Sequence, residues 1–182
     1  MEITFLTSNQ DKIKEAREIL GEAIRLNFQK VDLDEVQEID GAKVVIKKAN
    51  DAFRLIKKPL LVEDTSLYIV PWKGLPGALI KWFLKTVNNE GIINMLQNSK
   101  KRDAIAHTVV AYHDGKNIRI FEGSTTGLIS KKVAGENGFG WDKIFIPKGF
   151  NKTQAEMSSE EKSKISSRKT ALEKLKNFLQ QK

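Results

Sequence analysis

The sequence predicts an α/β fold, with helices flanking a sheet that mixes parallel and antiparallel strands. Three observations lead there. Glu2 to Leu6 and Arg25 to Val31 read as strands on either side of a helical stretch, a βαβ-type opening. A second helix is stopped by Pro59 immediately before the apolar run Leu60-Leu61-Val62. Further on, Ala104 to Tyr112 and Asn117 to Thr125 flank Asp114-Gly115, a dipeptide favoured in hairpin turns.

The elements follow in order. Lys12 to Leu20 carries Ile13, Ala16 and Leu20 at helical spacing, and Ala42 to Ile56 carries Val45, Ala49, Ala52 and Ile56 in steps of four, three and four. Leu60-Leu61-Val62 then predicts a short buried strand that delivers Glu63 and Asp64 at its C-terminal end, where ligands bind in open α/β sheets. Leu79 to Val87 and Gly91 to Leu96 read as short helices. Glycines and Pro147 crowd Gly135 to Gly149, an irregular stretch around a short strand at Lys143 to Ile146. Ser158 and Ser159, followed by Glu160 and Glu161, mark the start of a final helix, whose apolar stripe joins Ile165, Leu172, Leu175 and Leu179.

The 182 residues, 40% hydrophobic and 30% charged, are enough to bury a sizeable core as a single domain spanning 1–182, with room for two lobes. Without cysteine there is no disulfide framework, no thiolate chemistry and no Cys-based zinc or iron–sulfur site, and a reducing, cytoplasmic setting fits. The N-terminal apolar residues lack a basic leader, and no apolar stretch approaches the roughly 20 residues of a membrane span. The expectation is a soluble protein. A formal charge of +8 would attract nucleic acid or steer a small triphosphate, and a lysine-rich surface is also what high-temperature growth selects.

Several segments could carry chemistry. Thr7-Ser8-Asn9-Gln10-Asp11-Lys12 stands where the first strand passes into the first helix, a place where backbone N–H groups and the helix dipole hold anions. Read alone, an ordinary N-cap followed by an exposed lysine is the simpler account, and the segment is not a Walker loop. Glu63 and Asp64 suit a hard divalent cation, since Mg²⁺ takes one or two protein carboxylates and completes its shell with water and phosphate. Asp32, Asp34, Glu35 and Glu38 form a second acidic cluster that reads as solvated loop charge unless the fold brings it to Asp64. Arg168 falls within the apolar stripe of the last helix, so it either bridges a carboxylate at a packing edge or faces a cleft holding an anionic or carbonyl ligand. Lys48 sits on the shoulder of the second helix's apolar face. Phe139-Gly140-Trp141-Asp142 joins two aromatics to a glycine, a surface on which a base stacks and also a common core pattern. His107 and His113 lack metal-ligand spacing and read as structural.

In order and wording these segments resemble the inosine triphosphate pyrophosphatase family of non-canonical purine nucleoside triphosphate pyrophosphatases. The resemblance rests on Thr7-Ser8-Asn9 with Lys12, Val62 to Leu67, Gly74-Leu75-Pro76-Gly77 with Lys81-Trp82-Phe83, and Phe121-Glu122-Gly123. It continues through Gly138 to Asp142, Thr153 to Met157, Glu161-Lys162 and Ile165 to Arg168, and so spans nearly the whole chain. It implies an elongated two-lobed fold with a central mixed β-sheet flanked by helices and a nucleotide cleft between the lobes, assembled as a homodimer. It implies Mg²⁺-dependent cleavage of ITP, dITP and XTP to the monophosphate and pyrophosphate, which cleanses the nucleotide pool of deaminated purines.

Residue by residue, the resemblance makes Thr7 to Lys12 the triphosphate-binding turn and Glu35 and Asp64 metal-associated carboxylates. Asp64 becomes the proton acceptor, Lys48 a phosphate contact and Thr65 a substrate contact. Phe139, Gly140, Trp141 and Asp142 become the base-binding segment, and Lys162, Ser167 and Arg168 contacts on the base. Two departures stand out: Ser8 where glycine is common, and Ser167 where the family has histidine. Two other readings make different predictions, a basic nucleic-acid-binding protein and a Maf-like pyrophosphatase acting on modified pyrimidines.

Overall fold

The computed structural model describes residues 2–22, 24–31, 33–34 and 36–181. Among these the chain forms a mixed sheet of seven strands flanked by six α-helices. It divides into two compact units, one of Met1–Thr65, Thr108–Gly123 and Arg168–Lys182, the other of Ser66–His107 and Ser124–Ser167.

The first unit opens as its hydrophobic spacing predicts. Strand β1 (Glu2–Leu6) leads into helix α1 (Gln10–Leu20) and returns as β2 (Arg25–Gln29), parallel to β1 from Glu2 opposite Arg25 to Leu6 opposite Gln29. Helix α2 (Gly41–Ile56) is capped by Asp40, whose Oδ1 accepts the Ala42 N–H at 2.9 Å, and ends at Lys57 in the left-handed conformation before Pro59. Strand β3 (Leu60–Ile69) lies parallel to β1. Its alternation sorts the core. Leu61 packs with Ile3, Phe5, Ala16 and Leu20, whereas Leu60 and Val62 pack with Val45, Ala49 and Ala52 of α2.

Two-residue strand β4 (Pro76–Gly77) pairs antiparallel with β3. Helices α3 (Ile80–Thr86) and α4 (Asn88–Met95) follow. Strands β5 (Asp103–His113) and β6 (Ile118–Ile129) are sheet neighbours joined by four residues, a link short enough only for an antiparallel pair. Asp114 Oδ1 accepts the N–H groups of Lys116 and Asn117 at 3.0 and 2.9 Å and so builds the predicted turn. His113 is buried, accepts the Gly115 N–H at its Nδ1 and stacks on Phe53 at 4.0 Å, which makes it the structural histidine the sequence predicts. Strand β7 (Phe145–Pro147) pairs antiparallel with β6, and the sheet order is β2-β1-β3-β5-β6-β7 with β4 on β3.

Two expectations change. Glu63 and Asp64 lie in the middle of β3, not at its end, because Thr65, Leu67, Tyr68 and Ile69 continue the extended run for six residues beyond Glu63. The final helix is two helices, α5 (Ser159–Ile165) and α6 (Ser167–Gln180), separated by Ser166 in an extended conformation. Serine competes for backbone hydrogen bonds and favours helix boundaries, so Ser166-Ser167 interrupts a stripe whose apolar spacing alone runs on. Ile165 therefore belongs to α5, while Ala171, Leu172, Leu175 and Leu179 of α6 are buried against β1, β3 and α1. No helix among the described residues is long and apolar enough to cross a membrane.

Candidate active site

The polar hexamer at the start of α1 folds as a self-capped helix entrance. Thr7 Oγ1 accepts the Asn9 N–H at 3.1 Å, and Asn9 Oδ1 accepts those of Asp11 and Lys12 at 2.9 and 3.2 Å. Ser8 is exposed, and Gln10, Asp11 and Lys12 form the first helical turn. One turn places Lys12 and Glu15 on the same face of α1.

Both reach the sheet through one buried cluster. The Glu63 side chain is 1% exposed, and its Oε1 takes three partners: Arg168 Nε at 2.9 Å, Lys12 Nζ at 3.1 Å and the Thr65 hydroxyl at 3.1 Å. Thr65 Oγ1 lies 3.4 Å from Thr108 Oγ1 on β5, and Glu63 Oε2 is buried with no partner. Burial would raise the Glu63 carboxyl, but the charges of Arg168 and Lys12, with hydrogen bonds from both, hold it at about 2. It is an acceptor at any working pH, and too weakly basic to be a good proton acceptor in a reaction near neutrality.

Arg168 stands where the stripe of α6 places it, 5% exposed and one turn before Ala171 and Leu172. The carboxylate its burial demands is present twice, since its Nη1 also reaches Glu15 Oε1 at 3.1 Å. Burial disfavours its charge, yet Glu63 and Glu15 raise the guanidinium above its ordinary value, so it remains a cation.

Asp64 belongs to the other face. Alternation along β3 sets Glu63 and Thr65 with Leu61 on the α1 and α6 side, and Asp64 with Leu60 and Val62 on the α2 side. Asp64 is half-buried there, and so is Lys48 on α2 beside the buried Ala49. The adjacent carboxylates therefore have separate surroundings. Glu35 and Asp32 lie outside the described residues, and among those described no three His, Cys, Asp or Glu side chains gather as a metal-holding group.

In the second unit the segment Phe139–Asp142 enters a 3-10 turn, Gly140–Lys143. Asp142 is buried, and its Oδ2 accepts the Phe139 N–H at 2.9 Å and Lys162 Nζ at 2.7 Å. The Lys162 ammonium lies 5.4 Å from the centre of the Phe139 ring. Gly138 has φ +77°, and a Cβ there would collide with Asp142 Oδ2. Gly140 has φ +59°, and its carbonyl accepts from Asn89 Nδ2 at 3.0 Å. Trp141 is 8% exposed and packs with Ile80, Ile92 and Leu96, so Phe139 is the ring of this segment that stays half-buried. Ser167 is buried at the first position of α6.

The Ham1 family model matches residues 3–178 of this chain. The chain belongs to the Ham1 family. It is 43% identical to an inosine triphosphate pyrophosphatase of Yarrowia lipolytica, over all of this chain and 97% of that protein. It is 36% identical to a dITP/XTP pyrophosphatase of Thermococcus kodakarensis, over all of this chain and 98% of that one. Among solved structures, a HAM1 protein from Coxiella burnetii superposes with a TM-score of 0.91 at 27% identity, each chain covered completely.

Of the residues singled out in the sequence of this Ham1 chain, the structure brings Lys12, Thr65 and Arg168 together around Glu63, and separately Phe139, Asp142 and Lys162. The sequence reading misses Glu15, Thr108 and Asn89. Glu15 was findable, three residues after Lys12 on a helix. Asn89 reaches across 51 residues to Gly140 and leaves no local signature.

Proposed function

We propose that the protein hydrolyses ITP, dITP and XTP to the nucleoside monophosphate and pyrophosphate, removing deaminated purines from the nucleotide pool. The single observation that carries the reading is the cluster in which one buried carboxylate gathers Lys12, Thr65 and Arg168, residues from three of the segments that carry the family resemblance. Similarity to inosine triphosphate and dITP/XTP pyrophosphatases over the full chain supports it. The reading takes residues 1–182 as one catalytic domain working as a cytoplasmic homodimer.

In this reading the entrance to α1, Thr7 to Lys12, and Lys48 bind the triphosphate. Lys12 brings a mobile charge, and Asn9 keeps the helix start in place for it. The Mg²⁺ the family implies fits the donor chemistry. Asp64 is a half-buried oxygen donor on the opposite face from Lys12 and Arg168, whose charges are directed at Glu63. Asp64, with Glu35, would hold it, and when bound it supplies neutralisation of phosphate charge. Asp64 also orients the attacking water and takes its proton, a role for which Glu63, held at about 2, is unsuited.

Base choice follows from donors. Phe139 offers a stacking face, with Gly140, Trp141 and Asp142 shaping its turn, while Lys162, Ser167 and Arg168 donate to the 6-keto oxygen of hypoxanthine or xanthine. Adenine presents an amino group at that position, and donor facing donor leaves both unpaired in a dry pocket, a strong ground for rejection.

The test is a panel of ITP, dITP, XTP, GTP, ATP and pyrimidine triphosphates with Mg²⁺, scored for pyrophosphate against orthophosphate. Pyrophosphate release led by the deaminated purines is expected. Orthophosphate release, or a preference for modified pyrimidines, refutes the reading.

A further inference from the structure

Glu63 is loaded asymmetrically. Lys12, Arg168 and Thr65 all bond to Oε1, while Oε2, buried in the same place, has no partner. A carboxylate serving only as a structural counter-ion to an arginine does best in the bidentate form, with each oxygen taking one N–H of the guanidinium. A buried acceptor left empty beside one that is shared three ways calls for an explanation. The load follows from where the elements stand. Lys12 comes from α1, Arg168 from α6 and Thr65 from β3 itself, and all converge on one oxygen from within a single unit of the fold.

We propose that Glu63 is a positioning residue that couples the two ends of the substrate, resting on the reading above in which Lys12 serves the triphosphate and Arg168 the base. Without ligand, Lys12 draws Glu63 toward Oε1-only contact, so that Glu63 holds Arg168 through its Nε alone while Glu15 holds the guanidinium from Nη1. When a triphosphate takes the Lys12 ammonium, Oε1 loses one of its three donors. The carboxylate is then at liberty to turn Oε2 toward Arg168 and hold the guanidinium through both oxygens. A guanidinium held by both oxygens of Glu63 as well as by Glu15 is better ordered for a base, so phosphate capture strengthens base recognition. By reciprocity, base binding strengthens phosphate binding by the same factor. Lys12 is the more accessible of the two cations, its side chain 17% exposed against 6% for Arg168, as a group that must meet an incoming anion should be.

The experiment separates the substrate into its ends. Inorganic tripolyphosphate and the nucleoside inosine are titrated calorimetrically into the native protein, alone and each in the presence of the other. Each is expected to tighten the other by about five-fold or more, and in Glu63→Gln that factor falls to one. The second variant is Lys12→Met, which removes a partly exposed charge and mimics the state in which phosphate has already drawn Lys12 away. It is expected to lose tripolyphosphate binding and to bind inosine about five-fold more tightly than the native protein. A purely structural Glu63 gives Lys12→Met unchanged or weaker inosine binding, and that result overturns the proposal even where Glu63→Gln fails to fold. Independent binding of the two ligands to the native protein, or coupling that survives Glu63→Gln, overturns it while leaving the proposed activity intact. Failure of the native protein to bind either ligand overturns both.

Discussion

The cluster around Glu63 and the turn from Gly138 to Asp142 solve the same problem by different means. In the cluster, charged side chains stand on regular elements, and the periodicity of α1, β3 and α6 puts Lys12, Glu15, Glu63 and Arg168 within 3.1 Å of their partners. In the turn the backbone itself is the structure. Two glycines take positive φ, Asp142 pins the Phe139 N–H, and Asn89 holds the Gly140 carbonyl. The first arrangement is held by charge, because each charge needs its counter-charge in a dry place. The second keeps its shape through a few single contacts. The two should therefore fail differently, the cluster by charge imbalance and the turn by distortion.

The largest expected effect divides β3 by face. Asp64→Asn keeps size and hydrogen bonding but removes the carboxylate on the α2 side, and turnover should fall by about three orders of magnitude with Tm little changed. Turnover within ten-fold of native would remove Asp64 from the chemistry. On the opposite face, Arg168→Met leaves Glu63 with a weakened counter-charge in the interior. Breaking a buried pair from one side costs about 3–5 kcal/mol, so the loss should be plain in urea unfolding. A loss below about 1 kcal/mol would show that the cluster is wetter and softer than its burial indicates.

What the sequence made legible follows the same division. Ile13, Ala16 and Leu20 announced α1, Pro59 announced the end of α2, and Asp114-Gly115 announced the hairpin, because each is a local cause of a local shape. Arg168 in an apolar stripe announced a buried counter-ion, and Glu63 and Glu15 supply it. The continuation of β3 was hidden by the same physics: Glu63-Asp64 looks like a strand leaving the core until charges from α1 and α6 make Glu63 affordable there. The break at Ser166 was hidden because Ile165 and Leu172, seven apart, keep helical phase across it. Asn89's hold on Gly140 comes from a distant element, and no pattern near either residue encodes it.

The turn should respond to shape. Gly138→Ala places a methyl group against Asp142 Oδ2 at a φ of +77°, costing about 1–2 kcal/mol in backbone strain and displacing the carboxylate that holds both Phe139 and Lys162. Since that carboxylate sets Lys162, which the proposed function aims at the 6-keto oxygen, the ratio of kcat/KM for ITP over ATP should fall by about ten-fold, while tripolyphosphate binding stays native. A preserved ratio would mean that Lys162 and Phe139 do not read the base.

The smallest effect concerns the helix that carries Lys162. Both Glu161 carboxylate oxygens accept from the Lys152 ammonium at 2.8 Å, and Oε2 also accepts the Ser158 N–H at 2.9 Å, while Ser158 Oγ accepts the Glu161 N–H at 3.2 Å, a reciprocal cap on α5. The hydrogen bond from Lys152, then that from Ser158, lowers the Glu161 carboxyl below its ordinary 4.5. A carboxyl lowered by folding stabilises the native state fully above the unfolded value and ceases to do so as pH falls through the folded one. The native protein should therefore exceed Glu161→Gln in Tm by about 2 °C at neutral pH, a modest margin because the pair is open to solvent and screened by salt. That margin should close as the pH drops below 4.5. A cap built on charge behaves this way; a margin that persists into acid would assign the capping to the neutral hydrogen bond alone, and would place α5 with the turn it serves as a structure held by shape.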